Sequence, residues 1–102
     1  MAEQRKRSPQ ELEIQADPQG SVGVYSNLMM ISHRREEFVL DFLFAQPQRG
    51  RQGRTVASLR SRVVTTPEHM KRILRAVQEN LRRYEAQYGP IQESTDLPQL
   101  IH

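Results

Sequence analysis

The hydrophobic period of this chain changes once, at Thr66-Pro67, and that single change limits the folds open to it. From Pro67 to Tyr88, Met70, Ile73, Leu74, Val77, Leu81, Tyr84 and Tyr88 recur at spacings of three and four. On a helical wheel they fill an arc of roughly 100°, the width of a core-facing stripe. Thr66 is placed to cap this helix, Pro67 suits its first position, and Glu68 favours the positive end of its dipole. Gly89-Pro90 stops it. Upstream the period is two. Tyr25–Ser32, Glu37–Gln46 and Thr55–Thr65 are rich in β-branched, aromatic and aliphatic residues and are bounded by turn formers. Leu12 and Ile14 alternate with Glu11, Glu13 and Gln15, which predicts a short strand before Asp17-Pro18-Gln19-Gly20.

The expected order is therefore β-β-β-β-α. Four residues, His33–Glu36, and eight residues, Pro47–Arg54, make the later connections short enough for an antiparallel meander. Between Val22 and Tyr88 lie 28 of the 37 hydrophobic residues, so one α+β domain over 11–91 is expected. A disordered basic arm (1–10) and a flexible tail (92–102) are expected to flank it. Leu97, Leu100 and Ile101 are the apolar residues of that tail.

A register can be read from the pattern. Setting Ile31 against Phe38 and Phe38 against Val63 gathers Phe38, Leu40, Phe42, Phe44, Ile31, Met29, Leu59 and Val63 on one face, a bed for the helix. Asp41 then faces Arg60, an opposite-charge cross-strand pair, and Arg60 or Arg62 is the expected partner of its carboxylate. The other face carries Leu28, Met30, Val39, Leu43, Val56 and Val64 around Asp41, Arg60 and Arg62. A solvated antiparallel face should be mostly polar, and the only long helix is already assigned to the Phe face. Leu28, Met30, Val39 and Leu43 are therefore the expected interface of a homodimer or higher homo-oligomer.

Little in the chain points to catalysis. Glu37 and Asp41 share a strand face but would lie ~13 Å apart, beyond the ~5–9.5 Å of a glycosidase pair. His33, His69 and His102 lack helical ligand spacing, and with no cysteine there is no thiolate zinc site, disulfide or cysteine nucleophile. Nucleophile elbow, Walker loop and dinucleotide fingerprint are all missing. No enzyme activity, cofactor or metal is expected. No apolar run approaches the ~18 residues of a membrane span, and none comes after Arg5-Lys6-Arg7, so neither a membrane segment nor a secretory signal is expected. The expectation is a cytoplasmic protein.

The strongest basic signal is Arg49-Gly50-Arg51-Gln52-Gly53-Arg54 with Arg60 and Arg62, five arginines without an acid in a chain of pI about 9.8. Arg49, Arg51 and Arg54 are candidate phosphate ligands, because a Gly-x-x-Gly turn brings backbone amides and guanidinium groups to one place. Net charge is only +3 and no exposed aromatic is interleaved to stack a base. A non-enzymatic oligomer that binds a protein or peptide partner is the leading expectation. A nucleic-acid module using residues 49–62 is the alternative.

Tyr25-Ser26-Asn27, Ile31-Ser32-His33, Glu37-Phe38-Val39-Leu40-Asp41-Phe42, Ser61-Arg62-Val63-Val64, Thr66-Pro67-Glu68-His69 and Tyr88-Gly89-Pro90-Ile91 resemble the bacterial Domain of Unknown Function 3467 family, over about Glu11 to Ile91. The resemblance implies a compact prokaryotic cytoplasmic protein and supplies no catalytic residues. The strand order is also similar to that of SecB-type export chaperones, whose sheets associate around peptide-binding grooves. That likeness concerns fold order alone.

Overall fold

The computed structural model describes residues 11–49 and 55–93. They form an α+β unit of order β1 (Leu28–His33), β2 (Phe38–Arg49), β3 (Thr55–Thr65) and α1 (Pro67–Tyr88). The sheet is an antiparallel meander, β1-β2-β3, with β2 in the centre. Three strands are present among the described residues, where four were expected. Leu12 and Ile14 lie outside any strand, 83% and 81% exposed. Alternation alone does not make a strand, since a strand also needs a partner for its backbone, and these residues pair with neither β1 nor β3. The turn after them does take its expected form: Asp17 closes it, accepting from the Ser21 amide through its carbonyl and from the Gln19 amide through Oδ1. The likeness to SecB-type strand order rested on that missing strand.

Both ladders are stepped by two residues from the expected register. His33, not Ile31, faces Phe38, because residues 34–37 make the loop and Arg34 donates its amide to the Glu37 carbonyl at 2.9 Å. Likewise Leu40 faces Val63 and Asp41 faces Arg62. A step of two preserves which face each side chain takes, so the two faces survive the correction. The exception begins at Arg60. Phe42 pairs with Ser61 and Leu43 with Leu59, leaving Arg60 as the extra residue of a bulge. Beyond it the alternation flips, and Leu59 and Ala57 oppose Leu43 and Ala45 on the second face. A second irregularity falls between Ala45 and Arg49, where Pro47 has no amide to give the ladder.

The helix begins and ends where its signals lie. Thr66 Oγ1 accepts from the His69 amide at 3.1 Å, and Pro67 occupies the first turn. Gly89 closes it at φ 98°, ψ 168°, donating its amide to the Glu85 carbonyl at 2.9 Å. This is an extended, positive-φ geometry and not the left-handed helical one.

The expected packing of the helix on the Phe face is not found. The contacts that hold the described residues together run between neighbouring strands, and the helix makes none of comparable extent with any strand. No helix residue is buried; Leu74, Val77, Leu81 and Tyr84 are 47–54% exposed. Only one residue, Thr66, separates β3 from α1, and Pro67 holds it extended at φ −80°, ψ 157°. A helix laid back across its own sheet needs a reversal that one extended residue cannot make. Leu40 and Ala45 are the only buried apolar residues among those described.

Candidate functional site

The second face of the sheet brings the four expected interface residues together. Ser32 opposes Val39, Met30 opposes Asp41 and Leu28 opposes Leu43, so Leu28, Met30, Val39 and Leu43 share one face, each half-buried. In their midst Asp41 accepts from Arg62, Nε to Oδ1 at 2.6 Å and Nη2 to Oδ2 at 3.0 Å. This is the bidentate fork that suits Arg to a carboxylate. The hydrogen bonds from Arg62, helped by its charge and opposed by desolvation, hold the Asp41 carboxyl below its ordinary value. The side chain of Asp41 is 14% exposed and that of Arg62 57%, so the carboxylate is covered by the strands and the guanidinium faces outward. Asp41 thus pairs with Arg62 and not with Arg60, which is exposed at the bulge.

At the end of this face the chain does something the alternating pattern does not reveal. Ser26 and Asn27 precede β1 and pair with β2 through their side chains. The Asn27 carboxamide accepts from the Ala45 amide at 2.8 Å and donates to the Ala45 carbonyl at 3.0 Å. The Leu43 carbonyl accepts from the Asn27 amide at 3.1 Å and from Ser26 Oγ at 2.8 Å. Tyr25, just before, sets its ring edge against Phe44, with centroids 5.7 Å apart. An Asn inside an otherwise β-rich run was the one available signal, since Asn is depleted in strands.

The second apolar surface is on α1. Val77, Leu81, Tyr84 and Tyr88 line a shallow groove together with Ile91. Ile91 is brought there by Glu85, whose Oε2 accepts the Ile91 amide at 2.9 Å. Tyr84 and Tyr88 pack ring against ring at 4.8 Å. Away from the stripe Glu68 pairs with Arg72 at 3.4 Å and Glu79 with both Arg82 and Arg83, of which Arg83 also borders the groove. Glu68–Arg72 and Glu79–Arg83 are i,i+4 pairs with the acid on the N-terminal side, the favourable orientation on a helix.

Residues 1–93 match the model of the family described as Protein of unknown function (DUF3467). The chain belongs to that family. Comparison with curated proteins and with solved structures finds no match. In this DUF3467 chain the arginine candidates are only partly placed. Arg49 ends β2, opposite Thr55. Arg51 and Arg54 lie outside the described residues, as do the 1–10 arm and residues 94–102 of the tail with Leu97, Leu100 and Ile101. Arg62 is committed to Asp41, which removes it from the set available to phosphates. Among the described residues no three His, Asp or Glu side chains gather as metal ligands, and no helix is long and apolar enough to cross a membrane.

Proposed function

We propose that this chain is a non-enzymatic, cytoplasmic subunit that self-associates and, once assembled, holds a protein or peptide partner against its sheet. One observation carries the reading: a strand meander and a 22-residue amphipathic helix each present an uncovered apolar surface, with almost nothing buried between them. A chain that leaves its stripe half exposed gains most of its hydrophobic stabilisation from association, at about 25 cal/mol per Å² of apolar surface removed from water. Asp41, set in the sheet face, is held towards its charged form by Arg62, the wrong direction for a general acid.

Light scattering at tens of micromolar tests the assembly, and titration with a set of extended apolar peptides tests the binding. The expected result is an oligomeric mass, with peptide affinity that changes little between low and moderate salt. A monomer overturns the first half. Failure to bind any peptide, together with tight, salt-steep binding of oligonucleotides, overturns the second in favour of the nucleic-acid alternative.

A further inference from the structure

We propose that α1 pairs in antiparallel fashion with α1 of a second copy, forming a two-stranded coiled coil that joins two sheets. The inference rests on the self-association just proposed and names its surface. Met70, Leu74, Val77, Leu81, Tyr84 and Tyr88 succeed one another at intervals of four, three, four, three and four. That is an uninterrupted a/d seam over the whole helix, the narrow stripe by which helices pack on helices. Ile91 continues the step of three, held beside the seam by Glu85. The single extended residue before the helix keeps this seam off its own sheet, and no described residue outside the helix and Ile91 covers it.

Three features identify the partner as the same helix reversed. The first is volume. About a two-fold axis near Gln78, Met70 meets Tyr88 of the second copy, Leu74 meets Tyr84 and Val77 meets Leu81. Each layer then combines one larger and one smaller side chain, whereas a parallel pair would stack tyrosine on tyrosine and valine on valine. The second is charge. The positions that flank the seam on one side are Lys71, Gln78 and Glu85. In the antiparallel arrangement such positions face their own kind, which sets Lys71 against Glu85 of the second copy, twice, with Gln78 facing itself between them. Lys71 and Glu85 are both exposed, and Glu85 uses Oε2 for the Ile91 amide, leaving Oε1 to face the ammonium.

The third feature is area. With about 150–250 Å² for a free aromatic side chain and less for the aliphatics, the exposed part of the seam offers at most about 600 Å² per chain, or about 1,200 Å² for the pair, the lower end of the standard interface range. A helix of 22 residues is about 33 Å long, enough for three heptads of contact. The Leu28, Met30, Val39 and Leu43 face, which the sequence pattern alone marks as the dimer interface, stays outside this contact and is left in this proposal to the peptide or protein partner.

The full chain tests this by light scattering and sedimentation with four variants. Wild type should be a dimer, Leu81→Glu a monomer that keeps the strand signal in circular dichroism, and Leu43→Glu still a dimer. Lys71→Glu and Glu85→Lys should each raise the dimer dissociation constant about tenfold by setting like charges opposite one another, and an equimolar mixture of the two should recover a tight heterodimer. A monomeric wild type overturns this proposal and the self-association together. A dimer that survives Leu81→Glu but is lost in Leu43→Glu leaves self-association standing and overturns the helix seam. A mixture no tighter than its separate components overturns the antiparallel arrangement, because in a parallel pair residues 71 and 85 lie about 21 Å apart along the axis.

Discussion

The carboxamide of Asn27 stands in for a strand beside Ala45, accepting its amide and donating to its carbonyl as a neighbouring peptide unit would. Ala45 is fully buried, so water cannot replace those two bonds at no cost. The side chain of one residue thus extends the β1–β2 ladder past the point where the backbone of β1 stops.

Removing that side chain leaves a buried amide and carbonyl without partners. Asn27→Ala is expected to destabilise the fold by about 1–3 kcal/mol, read as a lower midpoint in urea denaturation. Asn27→Asp keeps the acceptor and loses the donor, so its midpoint should fall between wild type and Asn27→Ala. Equal midpoints for wild type and Asn27→Ala would show that the clip adds nothing to the ladder.

The Asp41–Arg62 pair gives stability an acid limb. The folded carboxyl titrates below its unfolded value, so the folded state favours the charged form. Its contribution is therefore full above about pH 5 and is lost as pH falls through the depressed folded value, below about pH 4. Denaturation midpoints from about pH 6 down to about pH 2 should drop more steeply in wild type than in Asp41→Asn. Parallel curves would mean that Arg62 holds Asp41 equally well in the unfolded chain.

The helix ends can be tested separately. Thr66→Ala removes the oxygen that accepts the His69 amide and should cost about 1 kcal/mol. At Gly89 a Cβ would meet no atom within 4 Å, so the cost of Gly89→Ala is conformational alone. With φ at 98° and ψ at 168° that cost is about 1–3 kcal/mol, and thermal melts monitored at the helical circular dichroism minimum should show both losses.

The arginine segment separates the two ligand classes. If Arg49, Arg51 and Arg54 bound phosphates, replacing all three by Ser would flatten the log–log salt dependence of oligonucleotide binding by about 2–3, at roughly 0.7–0.9 per phosphate. The expected outcome is that wild type and triple variant bind single- and double-stranded oligonucleotides equally weakly and fold equally well. Electrophoretic or anisotropy titrations over a range of salt decide it.

Much of the fold is legible in the residues because its signals are local. The limits of α1 come from Thr66, Pro67 and Gly89, each acting on its immediate neighbours, and the helical stripe needs only a wheel. The faces of the sheet survive a wrong register because a step of two returns every side chain to its own side. The step itself is not legible. It depends on which residue closes the 34–37 loop, a matter of hydrogen-bond geometry that no alternation records. Leu59 changes face for a related reason: a bulge at Arg60 leaves no mark in a run that reads as continuous strand. Of the candidate site, the cluster of Leu28, Met30, Val39 and Leu43 is readable by parity, while the choice between Arg60 and Arg62 as the partner of Asp41 needs the register.

By itself, then, the order of residues determined α1 with its limits, the three strands and the parity of their faces up to the bulge at Arg60, since each depends on contacts within about one turn or one strand repeat. Tertiary structure alone decided the pairing of Asp41 with Arg62, the clip of Asn27 on Ala45 and the separation of α1 from its own sheet. The first two depend on where residues 18 to 21 positions apart are brought by loops of fixed length. The separation turns on one residue. Thr66, held extended by Pro67, leaves no room for the reversal that the helix's apolar stripe would otherwise favour.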